Sequence, residues 1–328
     1  LGKILIHAGV CSGLDFYRLL ATHLELSFVN LLESESLNLD LLEAEQIKHY
    51  IAHQALPYAQ QNGVTLIATT AITEECEAWA KVQFSHYRFS ITAPRDIHQT
   101  LMRHFSDTLS KESVEALWDK APLLSARDTV TKKQKRVLIS ASLYMVGLGV
   151  LFPLYTFIAL LCILNLFCFA TLIFKAIIFF NGYFKRESLW QKRTHVNEHD
   201  SNLPLYTILV PMYKEVASLP RLIASIRALD YPKSKLDVKL VLEADDTATI
   251  TAAKDLAPEG YFEIITVPPS YPRTKPKACN YALRFSRGEF VTIYDAEDRP
   301  DPQQLRKVVA TFRKNDSRLI CVQCRLNY

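Results

Sequence analysis

The side chains with the most chemistry in this 328-residue chain are acidic, and they recur at the ends of apolar runs. Tyr213-Lys214-Glu215 follows "YTILVPM", Glu243, Asp245 and Asp246 close "DVKLVLEADD", and Asp295, Glu297 and Asp298 follow "EFVTIY". Crowded carboxylates repel one another unless a cation joins them. A hard divalent ion, Mg²⁺ or Mn²⁺, held by one or two carboxylates and by the oxygens of a diphosphate, resolves that repulsion. Arg273, Lys275 and Lys277 lie where a helix opens just before the third acidic group. Basic side chains beside a helix amino terminus, with its free backbone N–H groups, make a phosphate site. Asn280 is placed to hydrogen-bond a sugar or ribose hydroxyl. Acids for a metal and bases for phosphate point to a nucleotide diphosphate. Glu243, Asp298 and Asp301 have an alternative use as helix caps or on a solvated face.

Positioning these groups needs a sheet. From Leu205 onward strand and helix patterns alternate: "YTILVPMY", "DVKLVLEADD", "FEIITVPP" and "EFVTIYDAE" read as strands. "VASLPRLIASIRAL", "TATITAAKDLA", "KPKACNYALRFS" and "DPQQLRKVVATFRK" read as helices. This alternation predicts an α/β unit with a mostly parallel sheet covered on both faces, the run ending at Tyr294 being a buried strand. Ligands of such sheets sit beyond the carboxyl ends of the strands, so the acidic tips should share one edge.

Together "ILVPMYKE", "LVLEADDTAT", "RTKPKACNYAL" and "YDAEDRPDPQQL" resemble the membrane-bound glycosyltransferases of family two, the group of cellulose synthase and bacterial β-glucan synthases. The resemblance covers residues 205–328 and implies an incomplete GT-A-type, Rossmann-like sheet. It also implies that Asp245 and Asp246 contact uracil, that Pro211, Tyr213 and Glu215 line the base and ribose side, and that Lys277 faces the diphosphate. The DxD motif, which binds metal and donor, maps to Asp295-Ala296-Glu297; Glu in its third position keeps the charge on a longer arm. The family's Thr-Glu-Asp base and Gln-x-x-Arg-Trp acceptor motif do not occur between Asp301 and Tyr328. The catalytic base is therefore expected beyond Tyr328. The implied reaction is an inverting transfer from a UDP-sugar, UDP-glucose foremost, to a growing polysaccharide. Two other readings stand beside it: transfer of one sugar to a lipid phosphate, and a non-catalytic subunit sensing cyclic di-GMP.

Composition supports a folded chain, with 49% hydrophobic and 22% charged residues. Net charge is −6 over residues 1–120, +6 over 121–200 and +4 over 201–328, which argues for three regions. The basic residues cluster at the membrane flanks and in one loop rather than along a face, which argues against a nucleic-acid binder. Seven scattered cysteines, with a single CxxC at Cys321 and Cys324, fit ordinary strand thiols in a reducing compartment. Starting at Leu1 and stopping in mid-pattern, the sequence is expected to be a fragment.

From Val137 to Phe174 there are 38 positions without a charge, enough for two helices turning at Phe152-Pro153-Leu154. Lys132, Lys133, Lys135 and Arg136 before the run, and Lys185, Arg186, Lys192 and Arg193 after it, place both flanks on the cytoplasmic side. Lys175 can snorkel to headgroups. The expectation is a transmembrane hairpin over 137–182, with linkers 126–136 and 183–204, in a multi-pass protein of the bacterial inner membrane.

Residues 1–125 read as a small α+β regulatory or docking module. Its first stretch predicts a short helix, a turn at Gly9, an amphipathic helix with Leu14, Leu19, Leu20 and Leu24 inward, and a brief strand. "GVTLIATT" and "YRFSITAP" predict further strands. Leu1, Gly2, Leu5, Ile6, Gly9, Val10, Phe16 and Leu20 resemble the amino-terminal module of type II secretion and pilus ATPases, some of which bind cyclic di-GMP. His23 stands where that family has Gln. His49 and His53 have metal-ligand spacing, but no third ligand lies near, and a solvated helix face is expected.

Overall fold

The computed structural model describes residue 6 and residues 11–190 (backbone alone from 182), 202–256, 260–315 and 318–324. Leu1, Gly2, Leu5, Gly9, Val10, Lys192 and Arg193, and the side chains of Lys185 and Arg186, lie outside the described residues. The chain forms two compact units, Leu117–His195 and the union of Leu1–Ala116 with Val196–Tyr328.

In the larger unit, α1 (Gly13–His23) is capped by the Ser12 side chain and followed by α2 (Ile47–His53). β1 (Ala55–Gln61), β2 (Val64–Thr69) and β3 (Tyr87–Ile91) make a three-stranded sheet, antiparallel between β1 and β2 and parallel between β2 and β3 across α3 (Glu74–Gln83). α4 (Pro94–His104) and α5 (Ser106–Lys120) follow. The face of α1 differs from expectation: Tyr17 and Ala21 are buried, whereas Leu14, Leu19 and Leu24 are exposed. Tyr17 and Ala21 stand one turn apart and pack with Ile91 and Ala93 at the end of β3, which sets the helix phase. The expected brief strand is a single bridge between Phe28 and Ile91.

The second sheet contains β4 (Tyr206–Met212), β5 (Leu236–Glu243), β6 (Phe262–Val267) and β7 (Phe290–Ile293) in the order β6-β5-β4-β7, all parallel. The connecting helices are α8 (Leu219–Arg227), α9 (Thr247–Leu256) and α10 (Lys275–Leu283), and α11 (Gln304–Lys314) follows β7. (α6, Lys132–Leu151, and α7, Pro153–Trp190, belong to the other unit.) Strand side chains alternate between two cores. Ile208, Val210, Leu240 and Leu242 meet Leu222, Ile226 and Leu305 on one face. On the other, Leu209, Val241 and Ile265 meet Tyr281 and Phe285, together with Ile97, Leu101 and Leu109 of the amino-terminal region. One sheet face is therefore covered by the chain's own α/β helices, and much of the other by α4, α5 and α10.

That shared face also buries charge. Lys239 is fully buried and ion-paired with Asp237 at 3.0 Å and with Glu263; Asp237 also meets Arg287 at 2.7 Å, and Glu263 meets His98 of α4 at 2.6 Å. Thr207 donates to Asp237 at 3.0 Å and accepts from the N–H of Gly288 at 2.8 Å. β7 pairs with β4 alone among the described strands, and Val291 and Ile293 are each 49% exposed, so the expected buried strand is half-buried.

In the smaller unit, α6 (Lys132–Leu151) opens on a Thr131–Gln134 capping box, and α7 (Pro153–Trp190) follows a break at Phe152. Among the described residues only Pro153–Asn181, with mean hydropathy 2.7, is long and apolar enough to cross a membrane. The expected pair of crossing helices is not supported. The first turns of α6 hold Lys132, Lys133, Lys135 and Arg136, so the uncharged stretch Val137–Leu151 falls short of the roughly 20 residues a crossing needs.

Candidate active site

Three strand ends meet along one edge. β4 ends at Met212, and the next residues turn sharply, with Lys214 in the left-handed region at φ 58°. That conformation is costly for a residue with a Cβ and persists where its surroundings fix it. What fixes it is Asp246, whose carboxylate accepts from the N–H of Lys214 at 2.5 Å and of Thr249 at 3.2 Å, tying the β4 tip to the start of α9. Burial raises the pKa of Asp246, but these hydrogen bonds and the Lys214 charge outweigh it and hold the carboxyl below its ordinary value. Asp246 is buried with both oxygens engaged, so its contribution is to shape the tip rather than to offer a free carboxylate.

Asp245 is the exposed member of the pair. Its Oδ2 accepts from Arg273 Nη1 at 2.8 Å and from the Tyr213 hydroxyl at 3.4 Å. The same basic segment pairs with two further acids: Lys275 with Asp295, beyond β7, and Lys277 Nζ with Glu243 Oε1 at 3.4 Å. Alternate residues of one segment thus neutralise carboxylates from two strand ends. Asp245 and Asp295 are joined through two residues of one segment, Arg273 just before α10 and Lys275 at its start.

A cleft of about 380 Å³ lies between the ends of β4 and β7, lined by Pro211, Glu215, Ser218, Lys275, Asp295, Ala296 and Glu297. Chain order reverses between these two strands, which is where ligands enter open α/β sheets. Tyr294 fixes the acidic turn, its backbone N–H donating to Leu209 and its hydroxyl to Gln304 at 2.9 Å. Asp298 Oδ2 accepts from the Asp295 N–H at 2.8 Å, which makes Asp298 a turn residue. Asp301 similarly accepts from the Gln303 N–H at 2.8 Å.

Two expected donor contacts lie elsewhere. Lys277 is 2% exposed, under the loop at Ser270, and the cation in the cleft is Lys275, at the start of α10. The Asn280 amide donates to the Ser113 carbonyl of α5 at 3.0 Å and does not line the cleft, because its position on α10 faces the amino-terminal region. Ser218 joins the cleft unannounced by sequence, as an ordinary residue at the N-cap of α8, immediately before Leu219.

Among the described residues no three His, Cys, Asp or Glu side chains group to hold a metal. Asp295 and Glu297 in one cleft still suit a divalent ion that draws its remaining ligands from water and phosphate. His49 and His53 stack at 6.1 Å, and His53 stacks on Trp79. All seven cysteines are free thiols.

A mixed α/β unit with a parallel sheet and a cleft at its point of reversal is consistent with a GT-A fold. Residues 207–328 match the family model for glycosyl transferase family 2, and the chain carries a glycosyltransferase domain of that family. The probable glycosyltransferase YdaM of Bacillus subtilis (strain 168) is 26% identical over 106 residues, 32% of this chain and 25% of that protein. The mannosyltransferase PcManGT of Pyrobaculum calidifontis, solved with GDP-Man and Mn²⁺, is 30% identical over 40% of this chain and 39% of its own, with a TM-score of 0.33. MshE with cdg is 19% identical over 28% of this chain and 65% of its own, with a TM-score of 0.24. The chain thus spans a quarter of the curated relative and about two fifths of the mannosyltransferase. With TM-scores this low, the site rests on this chain's own geometry.

Proposed function

We propose that this chain is the donor-binding portion of an inverting, metal-dependent glycosyltransferase that passes sugar from a UDP-sugar, UDP-glucose foremost, to a growing polysaccharide at the bacterial inner membrane. The observation that carries the reading is the single cleft that brings Lys275, Asp295 and Glu297 beside Pro211 and Glu215 at the sheet's reversal point. Asp295 and Glu297 would hold Mg²⁺ or Mn²⁺, which when bound offsets charge on the departing diphosphate. Lys275 supplies a fixed positive charge to the same diphosphate, and α10 begins without a side-chain cap, leaving backbone N–H groups for phosphate oxygens. Tyr213 and Asp245, hydrogen-bonded to each other beyond the residues that line the cleft, suit the base and ribose. The membrane assignment is supported by the apolar surface of α7, where Phe157, Leu166 and Phe167 are each at least 60% exposed, as suits lipid rather than water.

Titrating the chain with UDP-glucose, with and without Mn²⁺, tests the reading. Binding should need the metal and should fall at least tenfold in Asp295→Asn and in Glu297→Gln. Metal-independent binding, or none, would overturn the assignment of both carboxylates.

A further inference from the structure

Helix α10 lies at the meeting of two parts of the larger unit. Its first residue, Lys275, lines the cleft, while its later residues and the two that follow the helix are held by the amino-terminal region. Asn280 donates to the Ser113 carbonyl, Arg284 is ion-paired with Glu112, and Tyr281 and Phe285, both fully buried, share a core with Leu101, Phe105 and Leu109. The sheet face beneath α10 has no second helix of the α/β domain among the described residues; α4 and α5 take that place. α10 is nine residues long, about two and a half turns, so a shift at Arg284 is carried to Lys275 with little internal give.

We infer that the amino-terminal region is a working part of the donor site: Glu112 and Ser113, through Arg284 and Asn280, are positioning residues that set where α10 holds Lys275. The inference rests on the donor reading of the cleft and extends it, since nothing on α5 reaches the cleft itself. By reciprocity, whatever tightens the α5–α10 contact raises nucleotide affinity, and nucleotide binding tightens that contact.

Hydrogen exchange on the full chain, with and without UDP and Mn²⁺, reads the coupling in the unaltered protein. Ligand should slow exchange at 275–283 and around 295–298, and also across 109–116 of α5, which does not touch it. In parallel, Glu112→Arg and Arg284→Glu should each weaken UDP–Mn²⁺ binding about fivefold, the lower end of ordinary coupling energies, and the double reversal should recover to within twofold. Protection confined to 275–283 and 295–298, or single reversals that bind UDP as well as the parent, overturns the coupling while leaving the donor site standing. Absence of UDP binding and of protection anywhere removes the donor reading and the coupling with it. Should a reversal fail to fold, the exchange measurement on the unaltered chain decides alone.

Discussion

Lys275, the first residue of α10, is ion-paired with Asp295, two residues beyond β7, and both side chains are about half exposed, at 45% and 52%. The cation and the carboxylate that the proposed chemistry needs therefore occupy one another. A divalent ion reaching Asp295 has to displace Lys275, and the freed ammonium is then available to the diphosphate. Lys275→Met should tighten Mn²⁺ binding in the absence of nucleotide by about two- to fivefold, the worth of an exposed ion pair. The same change should weaken UDP binding at saturating Mn²⁺ by about ten- to a hundredfold, as expected for one lost hydrogen bond to a charged group. Calorimetry with Mn²⁺ alone and then with UDP separates the two effects. If Mn²⁺ affinity falls, Lys275 is no competitor for the metal carboxylate.

The buried pairing of Lys239 with Asp237 and Glu263 gives a prediction of opposite character. For Asp237, burial raises the pKa, but Lys239 and Arg287 overcome it; for Glu263, burial is overcome by His98 and Lys239, so both carboxyls lie below their ordinary values. Stability from carboxylates depressed in this way is present above about pH 4 and is lost as pH falls through the folded values. Lys239→Met leaves two acids facing each other without their buried cation and should cost about 3–5 kcal/mol at neutral pH. Urea unfolding should also show the variant losing less than the parent as the medium is acidified. Equal acid sensitivity in the two would mean that Lys239 does not depress these carboxyls.

Much of the α/β domain was legible because its elements obey simple periods. β4, β5 and β6 are runs of β-branched and aliphatic residues, and α8 and α11 carry apolar residues at helical spacing. The acidic tips were legible for the same reason: each follows directly on an apolar run, so parallel strands bring them to one edge. What was hidden depends on partners distant in sequence. β1 contains Pro57, which argues against a strand, yet it is tolerated at the edge of its sheet where the register is irregular. Asp237 and Lys239 stand at period two within an apolar strand, a sign that this face meets polar groups, but nothing local names Glu263, Arg287 and His98 as those groups. The roles of Lys275 and Lys277 could not be separated by charge; they differ because the first opens the helix at the cleft and the second turns under the Ser270 loop.

Gly288 packs where the chain enters β7. A Cβ there would lie 2.4 Å from the Thr207 backbone nitrogen and 2.7 Å from both the Phe290 carbonyl oxygen and Thr207 Oγ1. Two of those atoms are backbone and the third is held by Asp237, so none can move aside cheaply. Gly288→Ala should destabilise the domain by about 1–3 kcal/mol, and by more if the β4–β7 pairing shifts. Because the cleft lies between the ends of these two strands, nucleotide affinity should fall with stability. Unchanged chemical denaturation of the Ala variant would mean that the turn has room that the close approach to Thr207 denies.

Asp96, in the first turn of α4, is 3% exposed, and its Oδ2 has no hydrogen-bond partner. Burial is the main influence on it and raises its carboxyl to about 6, with Glu33 adding to the rise and Arg95 and the Leu31 backbone opposing it. A carboxyl raised above its unfolded value of about 3.9 contributes stability that is complete below that pH and is lost as pH rises through about 6. At neutral pH the folded chain therefore carries an ionised, half-satisfied carboxylate in its core. Asp96→Asn keeps the size and removes the charge, so it should stabilise the protein by roughly 2 kcal/mol more at pH 7.5 than at pH 4.5, from the two-unit displacement. Urea denaturation of parent and variant at the two pH values measures the difference directly. A variant whose effect is the same at both would show that Asp96 titrates normally in the fold, through a partner that satisfies its second oxygen.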